Sequence, residues 1–286
     1  MSAAVWTPKL WTPPKRWRRH LDENDIFRAM LTSTEKKRWA SGQVPTIFRP
    51  GSADVPSNPI SGYTAAVLAD APVLYWKFDE TSGTNVQDFA SSGPFTGTCQ
   101  GTVTRNVPAI VPGAGVTPGT TTADYISTPD AATLDITGAY SAEFWIKTTS
   151  LAASQMMVSK GRDGASSAGY GVFLGTTGAL VLCKVQVTNG SPGSNAVITT
   201  GNWYHCVVTY PGGTGTISFY INGAAQGTNT SQTLAANATT KAFEVARCDD
   251  NGTLRFPVNG SMDEVAIYNT VLNSTQVSNH YNARLT

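Results

Sequence analysis

Charge is scarce in this chain: only 14% of its 286 residues are Asp, Glu, Lys or Arg, and the formal net charge is +1. So few charges suit a turn-rich β protein better than a solvated or disordered one. Cysteine is scarcer still. Cys99, Cys183, Cys206 and Cys248 are widely spaced and form no CxxC pair, which reads as small buried thiols rather than a disulfide framework. No run of about 18 apolar residues exists, so no segment reads as a membrane-spanning helix. Residues 1–20 lack the apolar stretch of a secretory signal peptide, and the six Asn-x-Ser/Thr sequons, Asn237 and Asn273 among them, then read as loop composition. Three histidines, His20, His205 and His280, lie far apart in sequence. No Ser-His-Asp arrangement, zinc spacing or phosphate loop stands out, and no enzyme is expected.

What is present is apolar content, 41% of residues, with 27 glycines and 16 prolines to punctuate it. The stretch Gly201–Ala224, GNWYHCVVTYPGGTGTISFYINGA, organises the rest. Its first half alternates, with Tyr204, Cys206, Val208 and Tyr210 on one face and Trp203, His205, Val207 and Thr209 on the other. PGGTG turns the chain, and Ile217, Phe219 and Ile221 return on one face opposite Ser218, Tyr220 and Asn222. A β-hairpin with one apolar face needs a second layer to cover it. Phe144 and Ile146 likewise share a face, against Glu143, Trp145 and Lys147. Residues 169–174 and 179–187 supply another strand pair. Residues 211–215, 222–230 and 249–253 read as turn-rich loops, and Ser274 as the cap of a short helix presenting Val277, His280 and Tyr281 together.

The charge is unevenly placed. Residues 1–50 carry ten Lys/Arg and four Asp/Glu (+6), leaving ten and fifteen (−5) for residues 51–286. Residues 1–20, MSAAVWTPKLWTPPKRWRRH, form an expected extended arm, because Pro8, Pro13 and Pro14 forbid a helix. The arm has no apolar face to bury on itself, so Trp6, Trp11 and Trp17, with Arg16, Arg18 and Arg19, read as partner-binding residues rather than as a disordered basic tail. Nucleic acid is a weaker reading of that cluster, since it is short and no nucleic-acid module follows. Residues 21–41 read as a short helical segment, capped at Asp22 or Asn24, with a stripe of Ile26, Phe27, Met30 and Leu31 and a second start at Thr32 and Glu35. Residues 42–66 read as a Pro/Gly linker, with a helical turn at Ala65–Ala69 leading into the β domain of residues 67–286.

Four segments carry a family resemblance. The hairpin above, PVLYWKFDETSGTNVQDFASSG (Pro72–Gly93), YSAEFWIKTT (Tyr140–Thr149) and NGSMDEVAIYNTVLNSTQVSNHYNA (Asn259–Ala283) resemble the laminin G-like jelly rolls of the concanavalin A-like lectin/glucanase superfamily, in the family's order. The resemblance implies an all-β, two-sheet antiparallel jelly-roll sandwich over about residues 67–286. The superfamily's laminarinase-type glucanases need two glutamates around an aspartate on one strand, and neither Glu143 nor Glu264 begins that pattern. The resemblance places Asp88 and Asp263 where family members hold a structural calcium, with Asp249 and Asp250 on another loop. Two carboxylates do not define such a site, and no cofactor is expected. A bound glycan would need an aromatic platform, for which Trp145, Tyr170, Trp203 and Tyr220 are the strand or loop candidates.

Two functional readings follow. A jelly roll without catalytic residues, carried on a Trp/Pro/Arg-rich arm, resembles bacteriophage capsid-decoration or tail-associated proteins. That reading expects a virion protein made in the host cytoplasm, in many copies or as a homo-oligomer. Residues 1–60 would dock on other capsid or tail subunits, and the domain could touch host glycans. The alternative is a carbohydrate-binding module of a bacterial surface or secreted protein.

Overall fold

The computed structural model describes residues 61–163, 168–183, 193–233, 238–250 and 252–286. Residues 1–60 form a separate unit from 61–286, so the expected arm, short helices and most of the linker lie outside the described residues. Within the described unit the chain opens with helix α1 (Gly62–Ala69) and strands β1 (Leu74–Trp76), β2 (Asn85–Val86), β3 (Gly97–Gln100), β4 (Val103–Val107), β5 (Gly115–Pro118) and β6 (Tyr125–Thr128). Next come β7 (Tyr140–Thr148), β8 (Gln155–Asp163), β9 (Ala168–Leu174), β10 (Leu180–Cys183), β11 (Tyr204–Tyr210) and β12 (Thr214–Ile221). The chain closes with β13 (Ala224–Thr233), β14 (Phe243–Val245), β15 (Cys248–Asp250), β16 (Thr253–Arg255), β17 (Gly260–Tyr268) and helix α2 (Ser274–Ala283). Neither helix is long and apolar enough to cross a membrane.

The strands make two antiparallel sheets. The first runs β13-β12-β11-β7-β17-β5-β4, with β1 also on β17; the second runs β10-β9-β8-β14-β6-β3-β2. The expected hairpin is β11 with β12, in register Cys206↔Ile221 and Val208↔Phe219. Its turn into β13 has φ of 53° at Asn222 and 77° at Gly223, the left-handed pair that a tight hairpin needs. A side chain at Gly223 would also meet Tyr281 of α2 at 3.0 Å.

Period-two alternation sorts the side chains as the sequence implies. Phe144, Ile146, Cys206, Val208, Ile217 and Phe219 meet Ile126, Val158, Val172, Phe243 and Val245 of the other sheet in the main core. Trp145, Val207 and Tyr268, pointing the opposite way, form a second buried cluster with Tyr63 and Val67 of α1 and Val277 of α2. The first sheet is therefore buried on both faces.

Four local expectations are corrected. Residues 224–233 are a strand, not a loop; β13 is the edge of its sheet, where a polar sequence pairs on one side only. Residues 248–255 likewise form a small β15–β16 hairpin. The cap of α2 is Asn273, one residue earlier than Ser274: its side chain accepts from the Thr275 and Gln276 amides, and the Gln276 side chain returns to the Asn273 amide. Helix α1 begins at Gly62, inside the stretch expected as linker, because Ser61 caps it and Tyr63 is buried beneath it. Cys99 and Cys206 are free thiols, while the side chain of Cys183 lies outside the described set. The Gly62 amide donates to the Thr286 carbonyl at 2.8 Å, so the first and last turns of the unit are tied together.

Candidate functional site

The outer face of the first sheet holds a buried polar knot around Glu143, in the middle of β7, in which His205 Nδ1 is left without a partner. Glu143 is fully buried. Its Oε1 accepts from the Tyr63 hydroxyl at 2.8 Å and His205 Nε2 at 2.7 Å, and its Oε2 from the Tyr268 hydroxyl at 2.8 Å. His280 Nδ1 lies 3.1 and 3.0 Å from the two oxygens, while its Nε2 meets Asp70 Oδ2 at 2.9 Å. Gln276 holds the other Asp70 oxygen at 2.7 Å. Burial alone would push the Glu143 carboxyl up. The His280 charge and the hydrogen bonds from His205 and His280 outweigh it and hold the group well below the usual carboxylate range. Burial would push His280 down, yet Glu143 and then Asp70 raise it to about 8. An imidazole donating from both nitrogens is the charged form, as the geometry requires.

Sequence reading grouped Val277, His280 and Tyr281 on one helix face, and the structure bears this out: Val277 and Tyr281 pack in the outer cluster and His280 reaches Glu143. It missed that two of the distant histidines converge on one glutamate. The available signal was Glu143 itself, a carboxylate inside the otherwise apolar run YSAEFWI.

The acidic residues considered for calcium do other work. Asp88 clamps a loop: Oδ1 accepts from the Tyr75 and Ala90 amides at 2.8 and 3.0 Å, and Oδ2 from the Phe95 amide at 2.9 Å. Asp263 is 1% exposed and its Oδ1 has no partner; burial, then repulsion from Glu264 and Asp79, pushes it well up. Burial raises its neighbour Glu264 to about 8, against the Tyr75 hydroxyl bond and the Lys77 charge. Asp249 pairs with Lys241 at 2.9 Å and Asp250 with Arg255 at 3.1 Å, so these are paired rather than simply solvated acids. Among the described residues no three His, Cys, Asp or Glu side chains converge as metal ligands. The donor set does not fit the ion that the resemblance implies.

The aromatic candidates divide. Tyr170 belongs to the main core and Trp145 to the outer cluster, both buried, with Trp145 stacked on Tyr281 at 6.0 Å. Trp203 and Tyr220 are partly exposed but pack against the outer cluster. None of the four offers a free ring face on a sheet. The arm residues Trp6, Trp11, Trp17, Arg16, Arg18 and Arg19 lie outside the described residues.

The outer face of the second sheet is different. Register aligns Thr98, Ser127, Glu244, Ser159 and Gly171 in one row across β3, β6, β14, β8 and β9. Their neighbours along the strands, such as Ile126, Val158, Val172, Phe243 and Val245, point into the core, so this row points away from it. Glu244 Oε1 accepts from Arg247 Nε at 3.1 Å and Nη2 at 2.6 Å. Arg247 Nη1 donates to the Thr122 carbonyl at 2.8 Å, and the guanidinium lies 3.2 Å from the centre of the Tyr125 ring. Glu244 Oε2 and Ser159 Oγ are buried without hydrogen-bond partners. Burial pushes the Glu244 carboxyl above its ordinary value, with Arg247 pulling it back, while Asp249 acts both ways, repelling it by charge and donating to it from its backbone. Sequence reading missed this group. Its signal was Glu244 set between two core residues in F-E-V, three residues before Arg247.

The fold is shared with known binding domains. The binding domain of Paraclostridial mosquitocidal protein 1 superposes with a TM-score of 0.59 at 14% identity, covering 76% of this chain and 53% of that one. The binding domain of botulinum neurotoxin DC, solved with SialylT, gives 0.53 at 16%, covering 76% and 52%. Domain 4 of AbnA, an extracellular arabinanase of Geobacillus stearothermophilus solved with arabinotriose, gives 0.53 at 20%, covering 73% and 98%. The chain thus spans about half the length of the toxin domains and nearly all of the arabinanase domain. At these identities the likeness is one of fold. No curated protein sequence matches the chain. The family model for laminin G-like domains matches residues 120–278, more than half of the sequence, and with it the chain belongs to the concanavalin A-like lectin/glucanases superfamily.

Proposed function

We propose that this protein is a non-enzymatic, glycan-binding jelly roll mounted on a virion by residues 1–60. The observation that carries the binding part is the fold itself, shared over 98% of an arabinanase domain that was solved with an oligosaccharide. Burial supports the non-enzymatic part. Glycoside hydrolysis needs two carboxylates facing one substrate. Glu143 and Glu264 are each sealed from solvent and held by protein hydroxyls and imidazoles. The virion part rests on the arm: a proline-broken segment with Trp6, Trp11 and Trp17 that has no apolar face of its own gains order on another subunit.

Deleting residues 1–60 should leave a folded β domain, since residues 61–286 enclose their own core. The test is β-sheet circular dichroism of the truncated chain, followed by its incorporation into particles beside the full chain. Equal incorporation of both would remove the anchoring role and with it the virion reading. A second reading, a carbohydrate-binding module of a bacterial surface or secreted protein, is favoured by the arabinanase and toxin neighbours. Mass spectrometry of purified particles against cell-surface fractions separates the two.

A further inference from the structure

Helix α1 is the first element of the β unit, so it is where residues 1–60 join that unit along the chain. It is eight residues long, too short to persist as a helix by itself. Tyr63, Thr64 and Val67 are its buried residues, and none of them reaches the main core between the sheets. Its exit is strained. Ala71 has a φ of 51°, the left-handed region that an alanine avoids, and Pro72 follows directly. Docking of α1 must therefore hold that turn in place.

Much of the holding passes through one side chain. His280 of α2 meets Asp70, the C-cap of α1, at 2.9 Å through Nε2, and the two oxygens of Glu143 on β7 at 3.1 and 3.0 Å through Nδ1. Both nitrogens can donate together only while the imidazole is charged; a neutral ring turns one lone pair toward a carboxylate. We propose that His280 is a protonation-dependent latch on α1: its imidazolium ties Asp70 to Glu143, and loss of the proton frees α1 from the outer face of the first sheet while the sheets stay folded.

The surroundings set the direction. Asp70 and Tyr63 of α1, Glu143 of β7 and Tyr268 of β17 face the ring. His205 of β11 shares Glu143 Oε1, and Glu264 of β17 is bonded by the Tyr75 hydroxyl of β1 in the same buried layer. Burial alone would lower His280, yet Glu143 and then Asp70 raise it to about 8. Glu143 stays beside His280 whether or not α1 is docked, so the support that departs with the helix is that of Asp70. The latch is complete below about pH 6.5 and loosens as pH rises through about 8. Phe144, Val208 and Phe219 belong to the main core on the other face of the sheet and do not depend on α1. The latch involves residues 61–286 alone and stands apart from the glycan reading.

The test is hydrogen exchange of the full chain, read by mass spectrometry at about pH 6.5 and about pH 9, with each rate divided by its unstructured value at that pH. Peptides covering residues 61–71 should lose about tenfold in protection from the lower pH to the higher, while those of β7 and β11 remain protected at both. Asp70→Asn keeps the size and an acceptor but removes the charge that His280 answers, so its residues 61–71 should open equally at both pH values. Glu264→Gln should behave as wild type, which separates His280 from the other group raised to about 8. If residues 61–71 open no more at the higher pH, or open only in step with the strands, there is no latch. If Asp70→Asn keeps the full pH dependence, or Glu264→Gln abolishes it, His280 is not the sensor and the proposal falls.

Discussion

Each sheet carries a buried glutamate on its outer face, and the two are treated oppositely. Glu143 has every oxygen taken, by Tyr63, His205, Tyr268 and His280, beneath two helices. Glu244 has one oxygen held twice by Arg247, while the other is buried without a side-chain donor. A buried charge whose oxygens all find donors fixes structure; one with an incomplete shell carries an uncompensated cost. The contrast teaches that one residue type can be buried at two different costs, set by how many of its oxygens find donors.

The comparison can be broken in several ways. The core that both sheets share sets the scale: Phe219, fully buried, should cost about 3–5 kcal/mol as Phe219→Ala by denaturant unfolding. Glu143→Ala should cost about 3 kcal/mol or more in the same assay, because it strands His280 against nothing but Asp70 and leaves two tyrosine hydroxyls unpaired. A loss below about 1 kcal/mol would erase the structural role given to the knot.

Protonation gives the next effect. His280 and Glu264, each at about 8, both stand above their ordinary values, so the folded state binds more protons than the unfolded one in this range. Stability must then fall as pH rises. The His280 share is complete below about pH 6.5 and lost by the time pH passes 8, on the order of 1 kcal/mol. Thermal unfolding should move to lower temperature between pH 6 and pH 8.5. A midpoint that rises instead would mean the knot is not charged as described. The smallest effect belongs to the other face: Ser159→Ala should change stability by less than about 0.5 kcal/mol, or raise it, since no bond is lost. A large loss there would show that Ser159 is part of the scaffold after all.

Legibility in the sequence followed periodicity. The β11–β12 hairpin and the facing of Phe144 and Ile146 could be read because alternation is a local property, repeated every two residues. The edge strand β13 could not, because AAQGTNTSQT has neither apolar alternation nor β-branched density, and its pairing is supplied by β12. Helix α1 was half hidden for the same reason: its buried residues Tyr63 and Val67 mean little until Trp145 and Val207 are known to lie beneath them. Each glutamate left only a local trace, a carboxylate among core residues, and its surroundings were beyond reach. The partners of Glu143 come from positions 62 to 137 residues away, and the unpaired second oxygen of Glu244 is nothing a sequence displays.

One backbone hydrogen bond has a wider consequence. The tie from Gly62 to Thr286 brings the first and last residues of the folded unit to the same point. A unit closed in this way can be set into a surface loop of a carrier protein by two short joints, without stretching either partner, and lifted out again with its core intact. Residues 61–286 thus have the geometry of a transferable cassette, with both of its joints at one point.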